Sequence, residues 1–298
     1  GRFPGQWLEW NDRFRDGIRR FWRGDAHAAG ECATRLSGSA DLFAGKKNGP
    51  RVSVNFLAAH DGFTLRDCVS HRFKHNQANG EDNRDGNSQN DSWNCGVEGP
   101  TDDVQVEALR QRQLRNFFTI LLTSQGRPMF LMGDEVRRTQ QGNNNAYCQD
   151  NEISWFDWGQ VEAHKDLSRF VRSLLHFRQD SLLYRDRCYW SEPGGTDIHF
   201  HGVRLGQPDW GENSHSLAFE LKHADVQEHL YLVFNAYWEA LEFELPPLKE
   251  GRRWARLIDT AKPSPEDFSK PAELLPESMR SYRAQARSAV VLTEQGVG

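Results

Sequence analysis

Cysteine is scarce and scattered in this chain. Five occur in 298 residues, at Cys32, Cys68, Cys95, Cys148 and Cys188. No two stand in a CxxC pair, so the usual spacing for a zinc ribbon or a dithiol redox centre is missing. Widely spaced thiols fit a reducing cytoplasm. No apolar run reaches the roughly 18 residues that a bilayer-spanning helix needs, so no membrane partner is expected. Basic residues are not in excess: 37 Lys and Arg face 42 Asp and Glu, for a net charge of -5. That balance argues against nucleic acid, whose phosphates demand a concentrated basic surface. The opening Gly1-Arg2-Phe3-Pro4-Gly5 lacks the basic-then-apolar order of a secretory leader and has no initiator Met. The expectation is a chain that starts inside a longer polypeptide or has been processed. Glu81, Asn83, Asp85 and Gly86 partly mimic a calcium loop, but Ser92 stands where the closing acidic ligand belongs and no helices flank it. No metal and no cofactor are expected.

What is present is ordinary globular material with a rich aromatic share. Hydrophobic residues make up 37% and charged residues 27%, which places the chain among globular proteins rather than disordered ones. Ten Trp and 18 Phe dominate the aromatics. Most should fill cores, although aromatic faces also suit sugar rings. The length suits one large domain or two of ordinary size.

Two textures divide the chain. In the first, Phe14, Ile18, Phe21 and Trp22 recur at helical spacing within 10–23. Residues 52–59 form a compact apolar run between Gly49-Pro50 and His60-Asp61, which predicts a strand buried on both faces. Thr64 to Val69 reads as a short helix start. Residues 74–101 read as a long polar loop. Asp102 and Asp103 then open a helix over 102–124, stopped by Gly126-Arg127-Pro128. Met129 to Met132 predicts a second short strand, ending at Gly133-Asp134-Glu135. Leu167, Phe170, Val171, Leu174 and Leu175 mark a further amphipathic helix. Helices alternating with short apolar strands signal an α/β unit with parallel strands, whose chemistry sits at the strands' C-terminal ends. The second texture is all-β: short runs such as 198–203, 216–221, 231–235, 241–245, 254–258 and 289–292, separated by Gly, Pro and Asp, predict an antiparallel sandwich. The expected division is 1–182 and 183–298.

From these residues alone, His60-Asp61 at a strand end admits two readings. Asp61 could cap the helix beginning near Thr64, with His60 a satisfied polar residue. Alternatively the pair faces a ligand at the mouth of the sheet.

A longer pattern carries a resemblance. Asn55-Phe56-Leu57-Ala58-Ala59-His60-Asp61-Gly62-Phe63-Thr64-Leu65 resembles the strand-seven signature of the α-amylase superfamily of glycoside hydrolases. The stretches His75 to Gly86, Trp93 to Thr101, and Gly133-Asp134-Glu135 with Arg138 to Asn151 and Ile153-Ser154-Trp155 are similar to the isoamylase-type glycogen debranching enzymes of bacteria. The resemblance covers residues 1–180 and is weaker beyond. It implies the C-terminal part of a (β/α)8 TIM barrel, about strands six to eight, followed by an antiparallel β-sandwich. It implies a retaining hydrolase that cleaves α-1,6 branch linkages of glycogen or limit dextrin in the cytoplasm. Asp61 would be the transition-state-stabilising carboxylate and His60 would contact the same sugar. Asp134 and Glu135, which match strand eight, would either face substrate or shape the barrel rim. In the next loop Asn143, Asn144, Asn145 and Tyr147 are candidate substrate contacts, since amides and a phenol hydrogen-bond sugars, although Asn-rich loops are also simply turn-prone. The nucleophilic Asp and the acid Glu of that family have no counterpart here: the opening Gly1 to Asn11 resembles the segment just after the acid, and Glu9 stands in the wrong context. The chain alone is therefore expected to be inactive, and a partial barrel is expected to self-associate or to need a partner for its missing half. The alternative is a non-catalytic α-glucan-binding or interaction module.

Overall fold

The computed structural model describes residues 1–4, 7–185, 188–193, 195–223 and 225–296. Gly5 and Gln6 of the opening motif lie outside the described residues. The first region builds three short parallel strands, β1 (Glu9–Asn11), β2 (Ser53–Asn55) and β3 (Arg127–Pro128), side by side in chain order. Trp10 pairs with Val54, and Asn55 with both Asn11 and Pro128. Between β1 and β2 run α1 (Asp12–Arg23), α2 (Ala28–Leu36) and α3 (Ala40–Phe43); between β2 and β3 run α4 (Leu65–Cys68) and α5 (Val104–Thr123); after β3 come α6 (Gly159–Ala163) and α7 (Lys165–Asp180). Among the described residues, no helix is long and apolar enough to cross a membrane.

Local chemistry sets the helix ends. The Asn11 side chain accepts from Phe14 N at 2.9 Å to start α1, and Gly24, at φ 89°, turns its N–H back to Arg20 and Phe21 to stop it. Phe14, Ile18, Phe21 and Trp22 then share one buried face. Asp103 caps α5 through Gln105 N and Val106 N, and α5 buries Leu114, Phe117, Phe118 and Leu121.

The second region is antiparallel. It comprises β4 (Asp197–His201), β5 (Ser216–His223), β6 (Glu228–Asn235), β7 (Leu241–Glu244), β8 (Arg252–Asp259), β9 (Phe268–Leu274), β10 (Ser281–Ala284) and β11 (Ser288–Gly296). Six strands form one sheet in the order β4-β5-β6-β11-β8-β9, while β7 and β10 pair separately. Alternation decides what each face meets. Leu217, Phe219, Leu221, Leu230, Leu232, Phe234 and Val291 point toward the helices and join their core. Ala218, Tyr231, Val233, Val290 and Leu292 point the other way, onto Phe243 and Tyr282 of the two-stranded layer. The large sheet is thus buried on both faces, which is why β6 reads as an almost unbroken apolar run.

Two expected strands are displaced. The run 52–59 is a strand only over Ser53–Asn55. Beyond it, the Leu57 carbonyl accepts from the Arg19 guanidinium rather than from a neighbouring strand, so Phe56 to Ala59 continue buried but irregular. The strand expected at Met129 to Met132 lies earlier, at Arg127–Pro128. Gly133, at φ 97°, and the Asp134 N–H bonded to Leu131 O pull the following chain into a tight turn.

Candidate functional site

The buried run Phe56 to Ala59 delivers His60 and Asp61 to solvent beyond the C-terminal end of β2. Their side chains are 70% and 82% exposed, with His60 Nε2 3.2 Å from Asp61 Oδ2. Trp10 of β1 stands beside them, its ring 5.8 Å from that of His60 and 5.5 Å from that of Phe56. The capping reading of Asp61 fails, because the residue that caps α4 is Thr64, whose hydroxyl accepts from Asp67 N at 3.1 Å. Asp61 is left as an exposed carboxylate next to an imidazole, which in turn meets an indole. That set can accept and donate hydrogen bonds to a hydroxylated ligand while an aromatic face packs on its carbon skeleton.

The rim candidates divide by burial. Asp134 is 1% exposed. Its Oδ1 accepts from Leu65 N at 2.9 Å and its Oδ2 is buried without a partner. Burial, helped by the neighbouring Glu135 charge, pushes its carboxyl up to about 7 against the pull of the Leu65 N–H. Glu135 accepts from Gly133 N at 2.9 Å. Asn143 and Asn144 are also buried. Asn143 donates to Asn79 Oδ1 at 2.8 Å, and its Oδ1 accepts from Asn145 N at 2.9 Å. Asn144 donates to Asn87 O at 2.6 Å and to Asn90 Oδ1 at 2.8 Å, and accepts from Asn76 at 2.9 Å. Direct sugar contact by Asp134, Asn143 and Asn144 therefore meets an obstacle: their polar atoms face protein neighbours, not solvent. Asn145 donates to Asp85 Oδ2 at 2.9 Å. Tyr147 is 71% exposed and donates to Glu81 at 3.3 Å. Through Asn144 O, which accepts from Gly62 N at 2.9 Å, this amide network holds the turn that carries Asp61.

A second cluster was not singled out in the sequence. His71, His75 and Glu98 bring one ligand atom each within 4.8 Å of the others. Burial would lift the Glu98 carboxyl, but the N–H groups of Arg72 and Phe73, the His75 ring and the Asn94 amide outweigh it and hold it down at about 2. Burial lowers the His71 imidazole. The sequence signal was the His-x3-His spacing; Trp10 and Asn76 lie within stretches that carry the resemblance, but nothing local marked them for a role.

Residues 199–295 match the family model described as Isoamylase 1-3, C-terminal. The chain is 41% identical to the glycogen operon protein GlgX homolog of Mycobacterium tuberculosis over 98% of its own length and 43% of that protein. It is 42% identical to the glycogen debranching enzyme of Erwinia tasmaniensis over 84% of its own length and 37% of that protein. Among solved structures, the pullulanase from Bacillus acidopullulyticus shares the fold, with a TM-score of 0.66 at 18% identity over 96% of this chain and 30% of that one. The chain thus spans about two fifths of the length of the curated relatives it matches.

Proposed function

We infer that this chain, which belongs to the isoamylase-type glycogen debranching enzymes of the α-amylase superfamily, supplies the transition-state grip of a retaining α-1,6-glucosidase acting on glycogen or limit dextrin in the cytoplasm. The observation that carries this reading is Asp61: exposed at a strand's C-terminal end, paired with His60, whose ring meets Trp10, and not used as a helix cap. Hydrogen bonds that the Asp61 carboxylate accepts from ring hydroxyls, and those that His60 shares with the same sugar, strengthen as the oxocarbenium ion forms, a gain of several kcal/mol. Tyr147, Asn145 and Glu135 line the approach; Asp134, Asn143 and Asn144 hold the rim in shape.

In this reading β1, β2 and β3 are strands six to eight of a (β/α)8 barrel. Their sequential parallel order, with helices between them and His60-Asp61 at a C-terminal end, supports it. The division at 182/183 falls between the end of α7 at Asp180 and the start of β4 at Asp197. Retaining hydrolysis also needs a nucleophile and an acid roughly 5–5.5 Å apart. Glu9, the carboxylate on β1, is turned to Lys46 at 3.4 Å and is only 10% exposed, so it does not serve as either.

The test compares the full-length protein with this chain. In the full-length enzyme, Asp61→Asn should lower kcat on a branched α-glucan by at least about a hundredfold while KM changes far less. The chain alone should release no reducing ends. Turnover by the chain alone that Asp61→Asn abolishes would sink the division of labour. A full-length Asp61→Asn enzyme with unchanged kcat would sink the role of Asp61.

A further inference from the structure

We propose that His71, His75 and Glu98 form a binding site for a divalent transition-metal ion of zinc's type, separate from the sugar-facing pair His60-Asp61. Three segments converge to build it. His71 and His75 lie just after α4; Glu98 lies in the turn that approaches α5, tied in by Gly99 N donating to Ser70 O at 2.8 Å; and the loop of Gly142 closes over both rings, its carbonyl accepting from His75 N at 2.7 Å.

The geometry suits a small borderline-soft cation. His75 Nε2 is 3.0 Å from Glu98 Oε1, and His71 Nδ1 is 3.7 Å from the same oxygen. Three ligands around a tetrahedral zinc, each about 2.0–2.1 Å from it, stand roughly 3.3–3.4 Å apart. These two spacings bracket that value, and all three ligand atoms lie within 4.8 Å of one another, so an ion enters as the two imidazoles draw in around the Glu98 oxygen. Two imidazoles and one carboxylate match zinc's preferred donors and fall short of the six or more oxygens calcium takes.

One observation points to a ligand here, the state of His71 Nδ1. His71 is 6% exposed, yet this nitrogen is buried without a hydrogen-bond partner, an arrangement native proteins avoid unless something fills the gap. Its other ring nitrogen lies 3.8 Å from the buried Asp67 carboxylate, which is itself held by Gln140 N at 2.8 Å. A carboxylate behind a ligating histidine is the usual outer support of such sites. The backbone beside it is fixed by Gly142, at φ 78°. A Cβ there would come within 2.8 Å of both His71 Nδ1 and a carbon of the His75 ring, so the backbone approaches the two rings as closely as only glycine permits.

Glu98 is likewise fixed in advance. Its Oε2 accepts from Arg72 N at 2.8 Å and from Asn94 at 3.0 Å, and its Oε1 accepts from Phe73 N at 3.1 Å. The nearby Arg110 guanidinium is neutralised by Glu107 at 2.8 Å. The fourth coordination position opens on a cavity of ≈ 500 Å³ walled by Arg66, Thr139 and Gln141, where water completes the shell. The ion would pin the long polar loop to the helices at one point.

The test is cobalt and zinc binding to the whole chain after chelator treatment. One Co²⁺ per chain should bind with the visible bands of a four-coordinate complex, and Zn²⁺ should displace it. His71→Gln and His75→Gln should each weaken binding by at least about tenfold, while His27→Gln, far out on the surface, should not. His75 is 40% exposed, so its replacement tests the site even if the His71 variant does not fold. Absence of binding at the highest soluble Co²⁺ concentration overturns the proposal, as does binding that neither variant weakens.

Discussion

Single residues in this chain show how burial, not residue type, sets a role. Asp134 and Asp61 are both aspartates in loops that follow parallel strands. One is buried with an oxygen lacking a partner, and the other stands in solvent. The Asp134 carboxyl has an ordinary value near 3.8 and is pushed by burial to about 7. Between those values the unfolded chain loses the proton while the folded chain keeps it. The folded state is therefore favoured at low pH, and that advantage is lost as pH rises through about 7. Asp134→Asn keeps the acceptor for Leu65 N and removes the titration. Its stability relative to the parent should rise between pH 5 and pH 8 by on the order of 2 kcal/mol. Urea midpoints at both pH values check this; parallel profiles for the two proteins would show that Asp134 ionises freely in the fold.

Elements come next, and here the amide-rich loops behave as one body. Asn76 and Asn144 exchange two hydrogen bonds across 68 positions, with Asn144 N donating to Asn76 Oδ1 at 3.0 Å and Asn76 returning the amide at 2.9 Å. Truncating Asn144 strands buried groups on Asn76 and Asn90. Asn144→Ala should cost roughly 2–4 kcal/mol and should speed proteolytic cleavage within 76–95. Denaturant titration and timed digestion read the two effects, and a variant as stable as the parent would show that water replaces the amide at no cost.

Much of this element inventory was legible in the sequence. Helices α1, α5 and α7 announced themselves by apolar spacing, and α1 and α5 carry side-chain caps; β5, β6, β8 and β11 did so by apolar runs that a sheet buried on both faces requires. The misses have causes. β1 and β3 are three and two residues long, too short for any periodicity to register. β9 is largely exposed and interrupted by Pro271, and β10 alternates around a single buried pair, Tyr282 and Ala284. The candidate site was half legible. His60-Asp61 stood out through its motif, whereas contacts such as Asn76 with Asn144, or Glu98 with two histidines more than 20 positions away, are set by folding distant loops together and leave no local pattern.

At the scale of the whole molecule, the parallel sheet remains an open arc. Among the described residues its outer strands, β1 and β3, each pair on one side only, and Trp7, Leu8, Trp10 and Met132 are about half to two-thirds exposed nearby in sequence. Unpaired edges with apolar neighbours invite association. The chain by itself should therefore run larger than a monomer in light scattering or bind an apolar dye; a compact monomer that binds none would show that the arc is self-sufficient.

The seam between the sandwich and the helices tells a different story about motion. The sandwich shares its core with the helices through Trp22 against Phe234, and polar ties reinforce the seam: Arg287 donates to Trp22 O, Asn116 donates to Arg287 O, and the Thr260 hydroxyl donates to Asn116. A seam locked by both grease and hydrogen bonds leaves no hinge. The sandwich is thus a keel rather than a swinging lid, and any gating of the rim around His60-Asp61 falls to its loops, flexing above a rigid hull.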